Sequence, residues 1–341
     1  MRCKIYLIFL LSIVLLGCHS KQPDLSLEKH SEVAELMATN VQLDVCVNEE
    51  TKKNIEAAYD EVWARLEEIA WRMNVYDDKS DVTKVNNAYI DPVRIELDTY
   101  KLLQDSIYFS RLTNGAFDIT VKPLINLWKE AKRVGQVPSP EEIARVKIMV
   151  GHKNFELMGN QYVRLINSET KIDLGGIAKG YAVDEAARIF REHGFMNFYV
   201  EAGGDIYVGG HNCHGEPWKI GIRDPRDLSK IIDVVALKDM AVTTSGNYEQ
   251  FYEIQGQRWS HILNPITGYP QKGVVSATVI APTAKDADAL STAMCVLGRV
   301  KGNELIDALD APYASLIIVE EDSNRIVKYA SKEYKKNQFK Q

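Results

Sequence analysis

The sequence predicts an α+β domain whose strands are mainly antiparallel and whose helices pack against them. Three observations predict it. Apolar residues recur at helical spacing over residues 52–74 and 97–115. From residue 197 onward, short β-rich stretches follow one another with Gly, Asn and Pro between them, instead of alternating regularly with helices. No stretch reads as a linker that would divide the chain, so the core is one domain.

Taken in order, residues 40–47 alternate as a strand does, and 52–74 form an amphipathic helix. A second helix, 97–115, stops at Asn114-Gly115. Residues 139–151 carry helix-start chemistry, with Pro140 and two glutamates in the first turn. A hairpin over 155–165 turns at Gly159-Asn160. Residues 179–194 are helical and end at Gly194. Strands are expected at 197–210, 218–222, 231–237, 250–263 and 274–282, then helices at 286–297 and 302–310. Two more strands, "YASLIIVEE" and "RIVKYA", close the domain.

The chain has 341 residues and a net charge of −6. A mildly acidic chain lacks the basic footprint that nucleic-acid binding requires, so that class is excluded. Arg2 and Lys4 precede an apolar run over residues 5–16, too short for an ordinary membrane span and suited to a signal peptide. The run leads into Leu15-Leu16-Gly17-Cys18, which resembles a lipobox, in which the cysteine is lipidated and becomes the first mature residue. The expected organisation is a lipoprotein signal peptide over 1–17, a polar tether over 18–34 and a folded domain over 35–335. An ordinary signal peptide or a membrane anchor that happens to contain Cys18 is the alternative. Cys46, Cys213 and Cys295 match no zinc spacing and allow at most one disulfide; small buried thiols are the expectation.

Chemistry gathers in a few stretches. "IDLGGIAKGYAVD" (172–184) has the strand, glycine turn and helix start of an anion site. Lys179 is followed by Gly180, where a nucleoside-triphosphate loop needs Ser or Thr for magnesium, and the glycines sit closer together than that loop requires. Asp173 would repel phosphate, and suits a ribose or base hydrogen bond or a metal shell. A plain structural turn explains the stretch equally well. In "ADALSTA" (287–293), Asp288 and Thr292 share a helix face as two hard oxygen donors suited to Mg²⁺. The alternative is a first-turn Asp favoured by the helix dipole and a Thr bonded back to a carbonyl. Asp118 in "GAFDIT" is a buried carboxylate that needs partners or a turn cap, the glycines of "EAGGDIYVGG" imply a close backbone approach or a bulge with Asp205 as a turn cap, and His261 precedes a Pro-turn as a general base, a ligand contact or a structural histidine.

Together and in this order, "NVYDDKSDVTKVN" (74–86), "GAFDITVKPLINLW" (115–128), "KIDLGGIAKGYAVD" (171–184), "VEAGGDIYVGG" (200–210), "TTSGNYE" (243–249), "SHILNPITGYP" (260–270) and "DADALSTAMCVLG" (286–298) resemble the ApbE family of flavin transferases. The resemblance implies a T-fold-like core, FAD as donor substrate and Mg²⁺ as the essential ion. It implies transfer of FMN onto a Thr or Ser hydroxyl of an acceptor protein, with release of AMP. The acceptor would be a subunit of a flavin-carrying redox complex at the membrane, reached by an exported enzyme anchored through a lipid on Cys18, on the periplasmic or cell-surface side.

By the same resemblance, FAD contacts Met37, Tyr76, Ala116, Phe117, Asp118, Asp173, Lys179 and Ile262. The metal meets Asp288, Thr292 and a main-chain oxygen of Gly176. In the mechanism that follows, Lys179 and the helix N-terminus stabilise phosphoryl charge, and His261 is the expected proton acceptor, with a nearby Asp as the alternative. The competing readings are an Mg²⁺-dependent FAD pyrophosphatase and a non-catalytic FAD-binding lipoprotein.

Overall fold

The computed structural model describes residues 27–247, 251–310, 312–321 and 325–339. The signal peptide and Cys18 lie outside the described residues. In chain order the elements begin with β1 (Glu28–Leu36), β2 (Thr39–Val47), α1 (Ile55–Arg72), α2 (Asp81–Asn87), β3 (Val93–Arg94), α3 (Leu97–Leu112), α4 (Lys122–Val134) and α5 (Pro140–Lys147). There follow β4 (Phe155–Met158), β5 (Tyr162–Leu165), α6 (Ala178–Glu192), β6 (Phe198–Ala202), β7 (Asp205–Gly209), β8 (Trp218–Asp224), β9 (Asp227–Leu237) and β10 (Met240–Gly246). The chain closes with β11 (Phe251–Ile254), β12 (Gln257–Ser260), β13 (Val274–Ala281), α7 (Ala284–Ala308), β14 (Ala314–Glu321), β15 (Arg325–Ala330) and α8 (Tyr334–Asn337).

One antiparallel sheet, in the order β1-β2-β6-β7-β10-β13-β14-β15, organises the molecule. Strand side chains alternate between faces, so each strand feeds two cores. Leu43, Val200, Ala241 and Val279 point to the face covered by α1, α6 and α7. Val208, Val242, Ile280 and Leu316 point to the opposite face, where the β8–β9 hairpin and α8 cover them. A third apolar cluster joins α4 and α5 to the β11–β12 hairpin around the fully buried Trp128. The α+β expectation with mainly antiparallel strands therefore holds.

Individual elements follow the local signals. Ser139 and Glu142 form a reciprocal capping box at the start of α5, and the hairpin of β4 and β5 turns where Gly159-Asn160 predicted. The two helices expected over 286–310 are the halves of α7, broken at Gly298, whose φ is 75°.

Three expectations are corrected. The tether expected over 18–34 gives way at Glu28 to β1, which pairs along its whole length with β2. Its polar, exposed residues read as tether because an edge strand has only one neighbour and little to bury. Cys46 and Cys213 are not buried thiols but a disulfide, joining β2 to the loop after β7 across 167 residues of sequence. Cys295 is a buried thiol, as expected. At the C-terminus, the buried Tyr334 and a bond from the Phe339 N–H to the Val234 carbonyl extend the fold beyond residue 335. Among the described residues, no helix is long and apolar enough to cross a membrane.

Candidate active site

At one pole of the sheet, the helix-facing positions change from apolar to polar. Asp205, which opens β7, stands opposite Thr243 of β10 and on the same face as Tyr207. Two residues beyond Thr243, Ser245 reaches α7, with its hydroxyl 2.8 Å from that of Ser291 and 3.4 Å from that of Thr292. The starts of α6 and α7 converge on this pole. Lys179, in the first turn of α6, is ion-paired with Asp205, and its Nζ lies 3.9 Å from Asp288 Oδ2. The Gly180 N–H donates to Asp288 Oδ2 at 3.2 Å.

Asp205 and Asp288 are both buried, and one ammonium serves the two carboxylates. Burial therefore raises the Asp288 pKa to about 7, and repulsion from Asp205 adds to it, against the pull of Lys179 and the Gly180 N–H. Burial also raises that of Asp205, opposed chiefly by Lys179. A pocket with an excess carboxylate either takes up a proton or holds a cation.

The predicted metal donors do meet here. Thr292 lies one turn beyond Asp288 on the same helix. A Cβ placed on Gly176 would stand 3.4 Å from Thr292 Oγ1 and 3.4 Å from the Phe117 ring, so the main chain at Gly176 lies against the hydroxyl. Among the described residues, no group of three His, Cys, Asp or Glu side chains is placed to hold a metal. A carboxylate, a hydroxyl and a main-chain oxygen instead suit a hard cation that completes its shell with water and phosphate oxygens.

Of the two readings the sequence left open for the turn before α6, its internal hydrogen bonds favour a structural turn. The Ile177 and Ala178 N–H groups are taken by the Leu174 carbonyl, and that of Gly180 by a carboxylate where an anion site would offer it to phosphate. Asp173 accepts from Gly175 N at 2.9 Å and is ion-paired with Lys122 at 2.9 Å. That pair meets Tyr76, an exposed ring with Lys122 Nζ 4.9 Å from its centroid and Lys129 donating to its hydroxyl at 2.9 Å. Tyr76, Lys122 and Asp173 thus form one surface with an aromatic face and fixed charges, suited to a heteroaromatic, phosphate-bearing ligand.

Ala116 and Phe117 are buried. The Asp118 carboxylate is occupied inside the protein: it accepts from Ser110 Oγ at 2.8 Å, His152 N at 2.7 Å, Thr120 N at 2.9 Å and Thr120 Oγ1 at 2.5 Å. It caps a turn, the alternative its sequence allowed. Met37 sits in the β1–β2 turn at φ 53°, half-buried against the main core. His261 follows β12 and is half-buried, next to the buried Ile262, whose carbonyl accepts from Gln271 N at 2.9 Å. Asp205 is more than the turn cap its sequence suggests; burial beside Lys179 makes it part of the site. Lys122 and Ser245 stood within quoted motifs, but neither residue type in isolation signals a role.

The model of the ApbE family matches residues 37–317. The chain belongs to the ApbE family. It is 35% identical over 276 residues to the FAD:protein FMN transferase of Vibrio cholerae, covering 79% of this chain and 81% of that protein. It is 33% identical over 286 residues to the FAD:protein FMN transferase of Haemophilus influenzae, covering 81% and 82%. Among solved structures, the ApbE protein of Thermotoga maritima superposes with a TM-score of 0.81 at 34% identity, covering 92% of this chain and all of that one. The flavin transferase ApbE of Vibrio cholerae does so with a TM-score of 0.81 at 30% identity, covering 91% and 99%. In this ApbE-family chain, Lys179, Asp205 and Asp288 are thus one physical cluster assembled from three separate elements.

Proposed function

We propose that this chain is an FAD:protein FMN transferase that moves FMN from FAD onto a Thr or Ser hydroxyl of an acceptor protein and releases AMP. The observation that carries the reading is the buried pair of carboxylates served by one ammonium, with the Thr292 hydroxyl and the Gly176 main chain beside it. Asp288, Thr292 and Gly176 would hold Mg²⁺. When bound, Mg²⁺ supplies positive charge that neutralises the pyrophosphate and polarises the bond to be broken.

The chain's own residues do the rest. Asp205 pairs with the Lys179 ammonium and fixes its direction, so that ammonium stabilises negative charge on the phosphoryl oxygens. The Tyr76–Lys122–Asp173 surface orients the flavin donor. The acceptor oxygen forms a bond to the FMN-side phosphorus, the phosphoanhydride bond to AMP breaks, and AMP leaves with the electron pair. The hydroxyl proton goes to His261 as general base.

Placement outside the cytoplasm, with a lipid on Cys18, fits the Cys46–Cys213 disulfide, since such bonds persist in oxidising compartments. The acceptor is then a subunit of a flavin-carrying redox complex at the membrane. The test is incubation with FAD, Mg²⁺ and a co-expressed acceptor of that kind, followed by in-gel fluorescence, mass spectrometry and AMP measurement. The expected result is a fluorescent acceptor carrying one FMN and AMP release that requires the acceptor. Acceptor-independent AMP release without a fluorescent band points to a pyrophosphatase instead. FAD binding without AMP points to a storage lipoprotein.

A further inference from the structure

Asp184 lies in α6 and touches none of the residues proposed to hold FAD or the metal through a bond of its own, yet both its oxygens are used. Oδ1 accepts from Ala284 N at 2.7 Å and Oδ2 from Lys285 N at 2.9 Å. These are the first two N–H groups of α7, which have no partner within their own helix. Thr283, the residue before α7, caps only the third, accepting from Asp286 N at 3.1 Å. The start of α7 is therefore capped jointly by its own chain and by the neighbouring helix.

The return contact runs the other way. Asp288, one turn into α7, accepts from Gly180 N, one turn before Asp184 on α6. Between these two bridges the helices touch backbone to backbone: a Cβ on Gly180 would stand 2.3 Å from the Ala284 carbonyl oxygen and 2.8 Å from Lys285 Cα. Two carboxylates, each bound to main-chain N–H groups of the opposite helix, thus fix the offset between α6 and α7. That offset sets where Asp288 and Thr292 stand relative to Lys179 and Gly176. Because the N–H groups belong to the backbone, the clamp acts on the position of the whole helix, not on one side chain.

We infer that Asp184 is a positioning residue for the metal site, holding the start of α7 so that Asp288 and Thr292 face a divalent cation at their working distance. This rests on the metal reading under Proposed function. Partners that orient metal ligands typically account for ~10–100-fold in metal affinity.

The test is calorimetric titration of Mg²⁺ into the full-length, FAD-free protein, with thermal unfolding in chelator recorded in parallel. Asp184→Asn, which places an amide where two N–H groups need acceptors, is expected to raise the Mg²⁺ dissociation constant ~10–100-fold. Asp184→Glu keeps the charge but lengthens the anchor, and is expected to weaken Mg²⁺ measurably; it carries the test if the Asn variant does not fold. Thr283→Ala removes the other part of the cap without touching the bridge. It is expected to lower the unfolding temperature while leaving Mg²⁺ affinity unchanged. Unaltered Mg²⁺ binding in the folded Asp184 variants, or an equal loss in Thr283→Ala, overturns the inference while the metal reading stands. A wild-type protein that takes up no Mg²⁺ overturns both.

Discussion

Replacing Gly180 with alanine tests how closely the two helices must approach. The added Cβ would stand 2.3 Å from the Ala284 carbonyl oxygen, 2.6 Å from its carbon and 2.8 Å from Lys285 Cα, where ordinary contact begins at 3.4 Å. All three atoms are backbone, so no side-chain rotation relieves the clash. The helices must separate by roughly 1 Å, and such a misplacement typically costs ~100-fold in rate. The 3.2 Å bond from Gly180 N to Asp288 would stretch beyond hydrogen-bonding range. Alanine favours a helix interior by ~1 kcal/mol over glycine, while overpacking costs ~1–3 kcal/mol. The net stability loss should therefore be about 0–2 kcal/mol, small beside the loss of activity. The assay is FMN transfer to an acceptor at saturating FAD, with unfolding temperature alongside. Gly159→Ala is the control, since nothing lies within 4 Å of the new methyl, and it should be silent in both. Wild-type turnover in Gly180→Ala would refute the claim that the close helix approach sets the site.

Four further predictions concern the buried charges of the site and the disulfide. In metal-free protein the Asp288 pKa is raised from 3.8 to about 7, so its stabilising contribution is full below pH ~4 and is lost as pH rises towards ~7; unfolding temperatures in chelator should fall through that window relative to Asp288→Asn. Mg²⁺ must displace that proton, so its affinity should weaken up to ~10-fold per pH unit below ~7, and a flat affinity there would contradict the assignment. Lys179→Ala leaves Asp205 buried without its cation, a loss of ~3–5 kcal/mol; Lys179→Met with Asp205→Asn should recover stability but not FMN transfer, and an unchanged unfolding temperature in the single variant would refute the pairing. Reducing the Cys46–Cys213 bridge, whose closed loop spans 167 residues, should lower stability by up to about 5 kcal/mol. FMN transfer at 25 °C should persist, because Cys46 lies near the end of β2 remote from the Thr39 turn and Asp205; loss of activity in still-folded reduced protein would show that the two poles are coupled.

Local signals in the sequence were enough for α1, α3, α5, α6, both halves of α7 and most strands, because periodicity and turn chemistry are local, but not for α2, α4 or α8. The helix of residues 52–74, the hairpin at Gly159-Asn160 and the break in the last long helix at Gly298 all depend on residues near one another in the chain. The sequence also determined the wording of the site, including the i, i+4 relation of Asp288 and Thr292. The tertiary structure decided what those residues face. Residues 28–36 look like a tether until β2 supplies the partner that makes them a strand. Cys46 and Cys213 became a disulfide only when β2 and the distant loop after β7 placed their Cα atoms 5.2 Å apart. The Asp118 carboxylate proved to be occupied by Ser110, Thr120 and His152. Asp205, unremarkable in a glycine-rich turn, gained its meaning from burial beside Lys179 and Asp288. Gly180, read as a departure from a nucleotide loop, is glycine because another helix's backbone occupies the space a side chain would need. Charge compensation and close packing are relations between elements far apart in sequence, and a local pattern cannot contain them.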